Sequence, residues 1–157
     1  MSREFFDQVD MAVRGFLPPA LRDFSARRSS GNLKVWYGDE EREHYEVQLL
    51  RGPALEVGFH TEHKDEARNE ATLERLLDQE TAWRKVLGSE PDAGKFLGRQ
   101  SSWRRVSEVW DLPDFADEAS IEAAERLADY IRAIEPVRTG RKKPAVRATK
   151  AVRRSSR

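Results

Sequence analysis

Apolar residues recur at spacings of three and four through the first sixteen positions, at Phe5, Phe6, Val9, Ala12, Val13 and Phe16. That pattern is the single stripe of an amphipathic helix, and Ser2 stands where an N-cap is expected. Pro18 and Pro19 stop this helix and start a second, short one through Arg27, with Leu17, Leu21 and Phe24 on its inner side. Ser29 to Asn32 read as a loop. From Leu33 the period becomes two. Leu33, Val35 and Tyr37 alternate with Lys34 and Trp36; Tyr45, Val47 and Leu49 alternate with His44, Glu46 and Gln48; Leu55, Val57 and Phe59 alternate with Glu56, Gly58 and His60. Three consecutive strands joined by short turns, one at Gly52-Pro53, predict an antiparallel meander with one face buried.

Helical spacing returns from Asp65 to Leu87 through Leu73, Leu76, Leu77, Trp83, Val86 and Leu87, with Gly88 as the expected C-terminal cap. Pro91 to Gly94 read as a turn, and Lys95–Arg99 and Trp103–Trp110 as two further strands. A last helix is capped by Ser120, carries Ile121, Ala124, Leu127, Ala128, Ile131 and Ile134, and ends at Pro136. The order α-α-β-β-β-α-β-β-α predicts an α+β fold: an antiparallel sheet of about five strands with helices packed on one face.

Charge changes this picture at one end. The chain of 157 residues balances 28 basic against 28 acidic side chains. Residues 138–157 hold nine basic ones (Arg138, Arg141, Lys142, Lys143, Arg147, Lys150, Arg153, Arg154 and Arg157) and no acidic one. An acidic body, 1–137, of net −9 therefore carries a tail, 138–157, of +9. The tail has no Leu, Ile or aromatic residue to bury, so it is expected to be disordered. The absence of Cys excludes thiolate metal sites, cysteine nucleophiles and a disulfide scaffold. No apolar run reaches the roughly 18 residues of a membrane span, and the acidic first ten residues do not resemble a secretory signal. A cytoplasmic protein is expected.

Chemistry in the body is sparse. The stretch Leu55 to Asp65 places Glu62 and Lys64 as an E-x-K pair past a strand, with Glu46 or Glu56 as an upstream carboxylate. Metal-dependent nucleases of the restriction type hold a divalent cation with two carboxylates and use a lysine on the attacking water. The usual upstream Asp is missing, and this arrangement is the alternative reading. His60 and His63, with Glu62 and Asp65 close by, form an alternative metal pair for which His44 is the only further histidine. The preferred reading takes them as solvated polar residues, with no metal. The motifs G-x-S-x-G, G-x-x-x-x-G-K-[ST] and G-x-G-x-x-G are absent, and no cofactor is expected. Trp36 beside Lys34, and Trp103 followed by Arg104 and Arg105, interleave aromatics with cations as base-stacking sheets do. Within a −9 body they read instead as packing or interface residues.

The segment TGRKKPAVRATKAVRRSSR resembles in composition the basic tails of linker histones and of actinobacterial nucleoid proteins of the HU type. Such a segment neutralises phosphates by counterion release and reads no base edges, giving non-specific binding with a steep salt dependence. The body, in its element order and its Trp83-bearing helix followed by a Trp-bearing strand, is similar to a small domain found fused to restriction-type nucleases. The expected function is a binding or adaptor module that contacts nucleic acid through the tail and is not an enzyme. Two alternatives stand beside it: a metal-dependent nuclease, and a protein-interaction module whose tail docks on acidic partners or on its own body. No membrane contact is expected.

Overall fold

The computed structural model describes residues 2–52, 54–111 and 117–140. Four α-helices and a six-stranded, wholly antiparallel sheet form the fold among these residues. Helix α1 spans Ser2–Phe16, and its Phe5, Phe6, Val9 and Val13 are buried as the stripe requires. The chain then makes one 3-10 turn, Pro19–Leu21, and enters strand β1, Ser25–Arg28. The second helix expected through Arg27 does not form. β1 pairs along its whole length with β2, Asn32–Trp36, from Ser25↔Trp36 to Arg28↔Leu33. Backbone pairing with an otherwise open sheet edge outweighs the weak helical signal of that stretch. This is why the sheet has six strands instead of five.

Strands β3, Glu43–Leu50, and β4, Ala54–Thr61, are the centre of the sheet, and β6, Arg104–Asp111, lies on the other side of β4. β5, Asp92–Lys95, closes that edge, a few residues earlier than the expected Lys95–Arg99. The order is β1-β2-β3-β4-β6-β5. Gly58 lets β4 and β6 approach: a Cβ there would sit 2.4 Å from the Val106 carbonyl oxygen and 2.5 Å from Ser107 Cα.

The long helix expected from Asp65 to Leu87 is two helices, α2, Glu66–Leu77, and α3, Glu80–Leu87. The break exposes the Leu76 carbonyl, which accepts from both Gln79 N and the buried Trp83 indole Nε1 at 2.7 Å. Asp65 caps α2, its carboxylate accepting from Ala67 N at 3.0 Å. Helix α4 runs Asp117–Arg138, with Pro136 inside its last turn and not at its end. All helices pack on one face, where Leu33, Val35, Tyr45, Val47, Leu55, Val57, Phe59 and Val106 meet Leu127, Ile131 and Ile134 in one core. Among the described residues no helix is long and apolar enough to cross a membrane.

Candidate metal centre

Side chains alternate along a strand, so the odd-numbered residues of β3 and β4 fill the helix-side core and the even-numbered ones face the other way. On that second face the register sets His44 opposite His60, Glu46 opposite Gly58 and Gln48 opposite Glu56. Glu62 follows on the same face, because its N–H continues the ladder to the Arg42 carbonyl at 2.8 Å. Two H-x-E segments, His44-Tyr45-Glu46 and His60-Thr61-Glu62, thus run antiparallel with their histidines paired. The pairing places one glutamate on each side of the histidine pair. Glycine opposite Glu46 leaves that position empty, so the Glu46 carboxylate reaches across it to His60.

The four side chains converge. His60 Nδ1 lies 3.0 Å from Glu46 Oε1 and 3.1 Å from Glu62 Oε2, while His44 Nε2 lies 3.0 Å from Glu46 Oε1 and 3.6 Å from Glu62 Oε2. One donor atom from each residue lies within 4.8 Å of all the others. The exposures are 1% for His44, 4% for Glu46, 1% for His60 and 8% for Glu62, so water does not share the work of solvating these groups.

The outer atoms of the ligands are fixed. His44 Nδ1 donates to the Glu41 carbonyl at 2.9 Å, and His60 Nε2 donates to Glu56 Oε2 at 2.8 Å. Glu56 is held in turn by Gln48 Nε2 and Ser107 Oγ, both at 2.6 Å, and Asn32 Nδ2 donates to Glu46 Oε2 at 2.9 Å. Phe96 stacks edge-on against His60 with ring centroids 5.0 Å apart, and Trp103 stacks the same way on Phe96. Each imidazole therefore has an acceptor at both nitrogens, whereas a neutral ring offers one N–H. A second proton or a cation must stand between the inner nitrogens and the carboxylates. Burial alone would lower the His60 pKa, but the hydrogen bonds to Glu46, Glu56 and Glu62 hold it well above its ordinary value. Burial would likewise raise the Glu46 and Glu56 carboxyls, and their histidine hydrogen bonds hold both below the usual range, Glu46 well below.

This donor set fits a divalent transition metal. Ligands about 2.1 Å from an ion sit about 3.0 Å apart at right angles and about 3.4 Å apart at the tetrahedral angle; the four His–Glu separations are 3.0–3.6 Å, and the His–His and Glu–Glu donor pairs lie within 4.8 Å. Imidazole and carboxylate without sulfur suit zinc, iron(II), manganese, cobalt or nickel, and not copper(I). The Glu56–His60 and Glu41 carbonyl–His44 contacts are the outer-shell bonds that orient metal-binding imidazoles. Three buried carboxylates, Glu46, Glu56 and Glu62, face one nearby ammonium, Lys34, 4.0 Å from Glu62 Oε1. Arg105, paired opposite His60 on β6, adds a guanidinium through Ser107, and a dication or added imidazole protons would offset the remaining negative charge.

The sequence reading placed Glu46, Glu56, Glu62 and His60 among its alternative site residues, and the fold brings these four together. His63 is not part of the group. Three residues from His60, it faces the helices, where its Nε2 meets Glu43 Oε2 at 2.8 Å and its Nδ1 has no hydrogen-bond partner among the described residues. Lys64 is exposed beyond the end of β4, and Lys34 from β2 is the lysine beside the carboxylates. The missed signal was the repeated H-x-E spacing on adjacent strands.

Arg138 is also engaged within the fold. Its guanidinium forks onto both Glu135 oxygens at 2.8 Å and donates to Glu43 Oε1 at 2.9 Å, and Tyr45 OH donates to Glu135 Oε1 at 2.8 Å. The remaining basic positions, Arg141, Lys142, Lys143, Arg147, Lys150, Arg153, Arg154 and Arg157, lie outside the described residues. No family model, curated protein or solved structure matches this chain, so its geometry and sequence carry the functional reading alone.

Proposed function

We propose that the chain is a divalent-metal-binding domain whose ion is held by His44 Nε2, Glu46 Oε1, His60 Nδ1 and Glu62 Oε2. One observation carries this reading: the outer nitrogen of each histidine is tied to a fixed acceptor while its inner nitrogen points at the same two carboxylates. A buried four-ligand site holds an ion firmly and favours binding over turnover. The test is a titration of the chelator-treated protein with zinc, manganese, cobalt and nickel, read by calorimetry and elemental analysis after gel filtration. One ion per chain is expected, lost in His44→Ala and His60→Ala and kept in Lys64→Ala. Substoichiometric metal in the wild-type chain, or retention in both histidine variants, removes the proposal.

A second reading rests on the basic segment. Residues 141–157 carry eight cations and no acid, and Arg138 is occupied by Glu43 and Glu135. The segment contacts nucleic acid non-specifically, as a cytoplasmic binding or adaptor module would, and eight neutralised phosphates correspond to a salt slope of about −7. Full-length protein and a chain ending at Gly140 are compared on duplex DNA at two salt concentrations. Equal affinities end this reading.

A further inference from the structure

We infer that Glu56 is not a ligand of the ion but the positioning residue that makes His60 its anchor, held to that task by Ser107 and Arg105 of β6. The inference rests on the metal reading and divides the labour among the site's three carboxylates. Residues four apart along a strand are about 13 Å apart at their Cα atoms, and a side chain between them on the same face would keep them from meeting. The position between Glu56 and His60 on that face is Gly58. The two side chains therefore reach toward each other along β4, and His60 Nε2 donates to Glu56 Oε2 at 2.8 Å. Of the two upstream carboxylates that the sequence left as alternatives, Glu46 faces the inner nitrogens and Glu56 the outer one.

Both oxygens of Glu56 are committed. Oε2 also accepts from Ser107 Oγ, and Oε1 accepts from Gln48 Nε2, each at 2.6 Å. Ser107 Oγ itself accepts from Arg105 Nη1 at 2.8 Å, which leaves the hydroxyl hydrogen for Glu56. Arg105 is fixed in turn, donating to the Ser107 carbonyl at 3.1 Å and the Lys95 carbonyl at 3.2 Å. Glu56, Ser107 and Arg105 are all buried. One line of hydrogen bonds thus runs from Arg105 through Ser107 and Glu56 to His60, and ends at the Nδ1 that faces Glu46 and Glu62. This makes the two histidines unequal. His44 gives its outer N–H to a neutral carbonyl and offers Nε2; His60 gives its own to a carboxylate and offers Nδ1. A charged acceptor makes the stronger hydrogen bond and the more basic inner nitrogen, so His60 is the stronger donor to the ion.

The test uses the full-length protein, stripped with chelator and reloaded with zinc. Zinc affinity is read by competition with a chromophoric chelator, and the histidine side chains by nitrogen-15 NMR. In the wild-type chain His60 is expected to carry its proton on Nε2 and the ion on Nδ1, and His44 the reverse. Glu56→Gln keeps the volume and one acceptor oxygen but removes the charge. It should still hold one zinc per chain, bind it about 10–100-fold more weakly, and shift the His60 Nε2–H signal while that of His44 stays in place. Ser107→Ala, which takes one bond from Glu56, should weaken zinc about fivefold, and it decides the matter where Glu56→Gln fails to fold. Loss of the whole zinc complement in Glu56→Gln, as in His60→Ala, would make Glu56 a ligand and overturn the inference. Wild-type affinity in both variants overturns it too, as does a weakening matched by a lower unfolding midpoint of the chelated protein with no selective change at His60. Each of these leaves the metal reading standing. A wild-type chain that takes up no zinc overturns both.

Discussion

The stability of the metal-free protein should fall as pH rises above neutrality, which is the reverse of what the metal-loaded protein should do. In the absence of metal, His60 is buried among Glu46, Glu56 and Glu62, and its pKa stands well above the unfolded value near 6.5. Below about pH 6.5 both states bind that proton, and the stabilisation is fully present. Above it the unfolded chain releases the proton while the folded chain keeps it, so stability drops by about 1.4 kcal/mol per pH unit until the folded pKa is passed. Glu46 and Glu56 behave oppositely. Their folded pKa values are lowered, so their contribution is present above the unfolded carboxylate value near 4.3 and is lost as pH falls. The chelated protein is therefore most stable between about pH 4.5 and 6.5. A bound ion takes the place of the His60 proton, which removes the decline above neutrality and makes acid, not base, the destabilising direction. The assay is urea unfolding at pH 6, 7, 8 and 9, with EDTA and with saturating metal, followed by tryptophan fluorescence. With an m-value of about 2 kcal/mol per molar urea, the chelated midpoint should fall by about 0.7 M per pH unit above 6.5. His60→Gln should abolish the slope. A chelated midpoint that stays level from pH 7 to 9, or an unchanged slope in His60→Gln, refutes the assignment of the cluster.

Two further substitutions test the architecture around the site. Gly58→Ala puts a methyl group 2.4 Å from the Val106 carbonyl oxygen, and β4 must separate from β6 to admit it. Overpacking together with weakened ladder hydrogen bonds should cost about 3 kcal/mol or more in denaturant unfolding, and a loss below about 1 kcal/mol would show that the strands yield easily. Arg138→Ala leaves Glu43 and Glu135 without their guanidinium at a nearly closed site and should cost about 3 kcal/mol. Its effect on DNA binding should be small beside that of removing residues 141–157, and a comparable loss would show that Arg138 belongs functionally to the basic segment.

The parts of the fold written in local periodicity were legible in the sequence. Helix α1 and strands β2, β3 and β4 follow from spacings of three, four and two, since each buries its own apolar residues. Strand β1 was not legible because Ser25-Ala26-Arg27-Arg28 has almost nothing apolar to alternate; a neighbour's open edge makes it a strand. The break between α2 and α3 was hidden because the apolar spacing continues across Asp78 and Gln79, and only the packed Trp83 indole reveals who satisfies the freed carbonyl. In the site, parity along the strand decided most. His60 and His63 look like a pair on a helix, but a separation of three on a strand sends them to opposite faces. Lys34 was out of reach because its nearness to Glu62 depends on strand register, which no local pattern states.

The same alternation builds two buried polar networks back to back on β3 and β4, and their donor balance differs. On the helix side, all four oxygens of Glu43 and Glu135 accept: Arg138 serves three of them, His63 and Thr72 the fourth, and Tyr45 adds a second bond to Glu135. The carboxylate oxygens of that network are all served by what the chain supplies, and it fastens the end of α4 to the sheet. On the other face, Glu56 is satisfied by Gln48, Ser107 and His60, but Glu46 Oε1 and Glu62 Oε2 have only the inner nitrogens of two imidazoles whose outer nitrogens are already committed. Burying carboxylates is expensive unless each is paired, and Gly58 and the Phe96–Trp103 stack act to keep this second group close and dry. The shortage of donors at Glu46 Oε1 and Glu62 Oε2, beside carboxylates on the other face that the chain's own groups serve, is what sets the second network apart and what the proposed ion would supply.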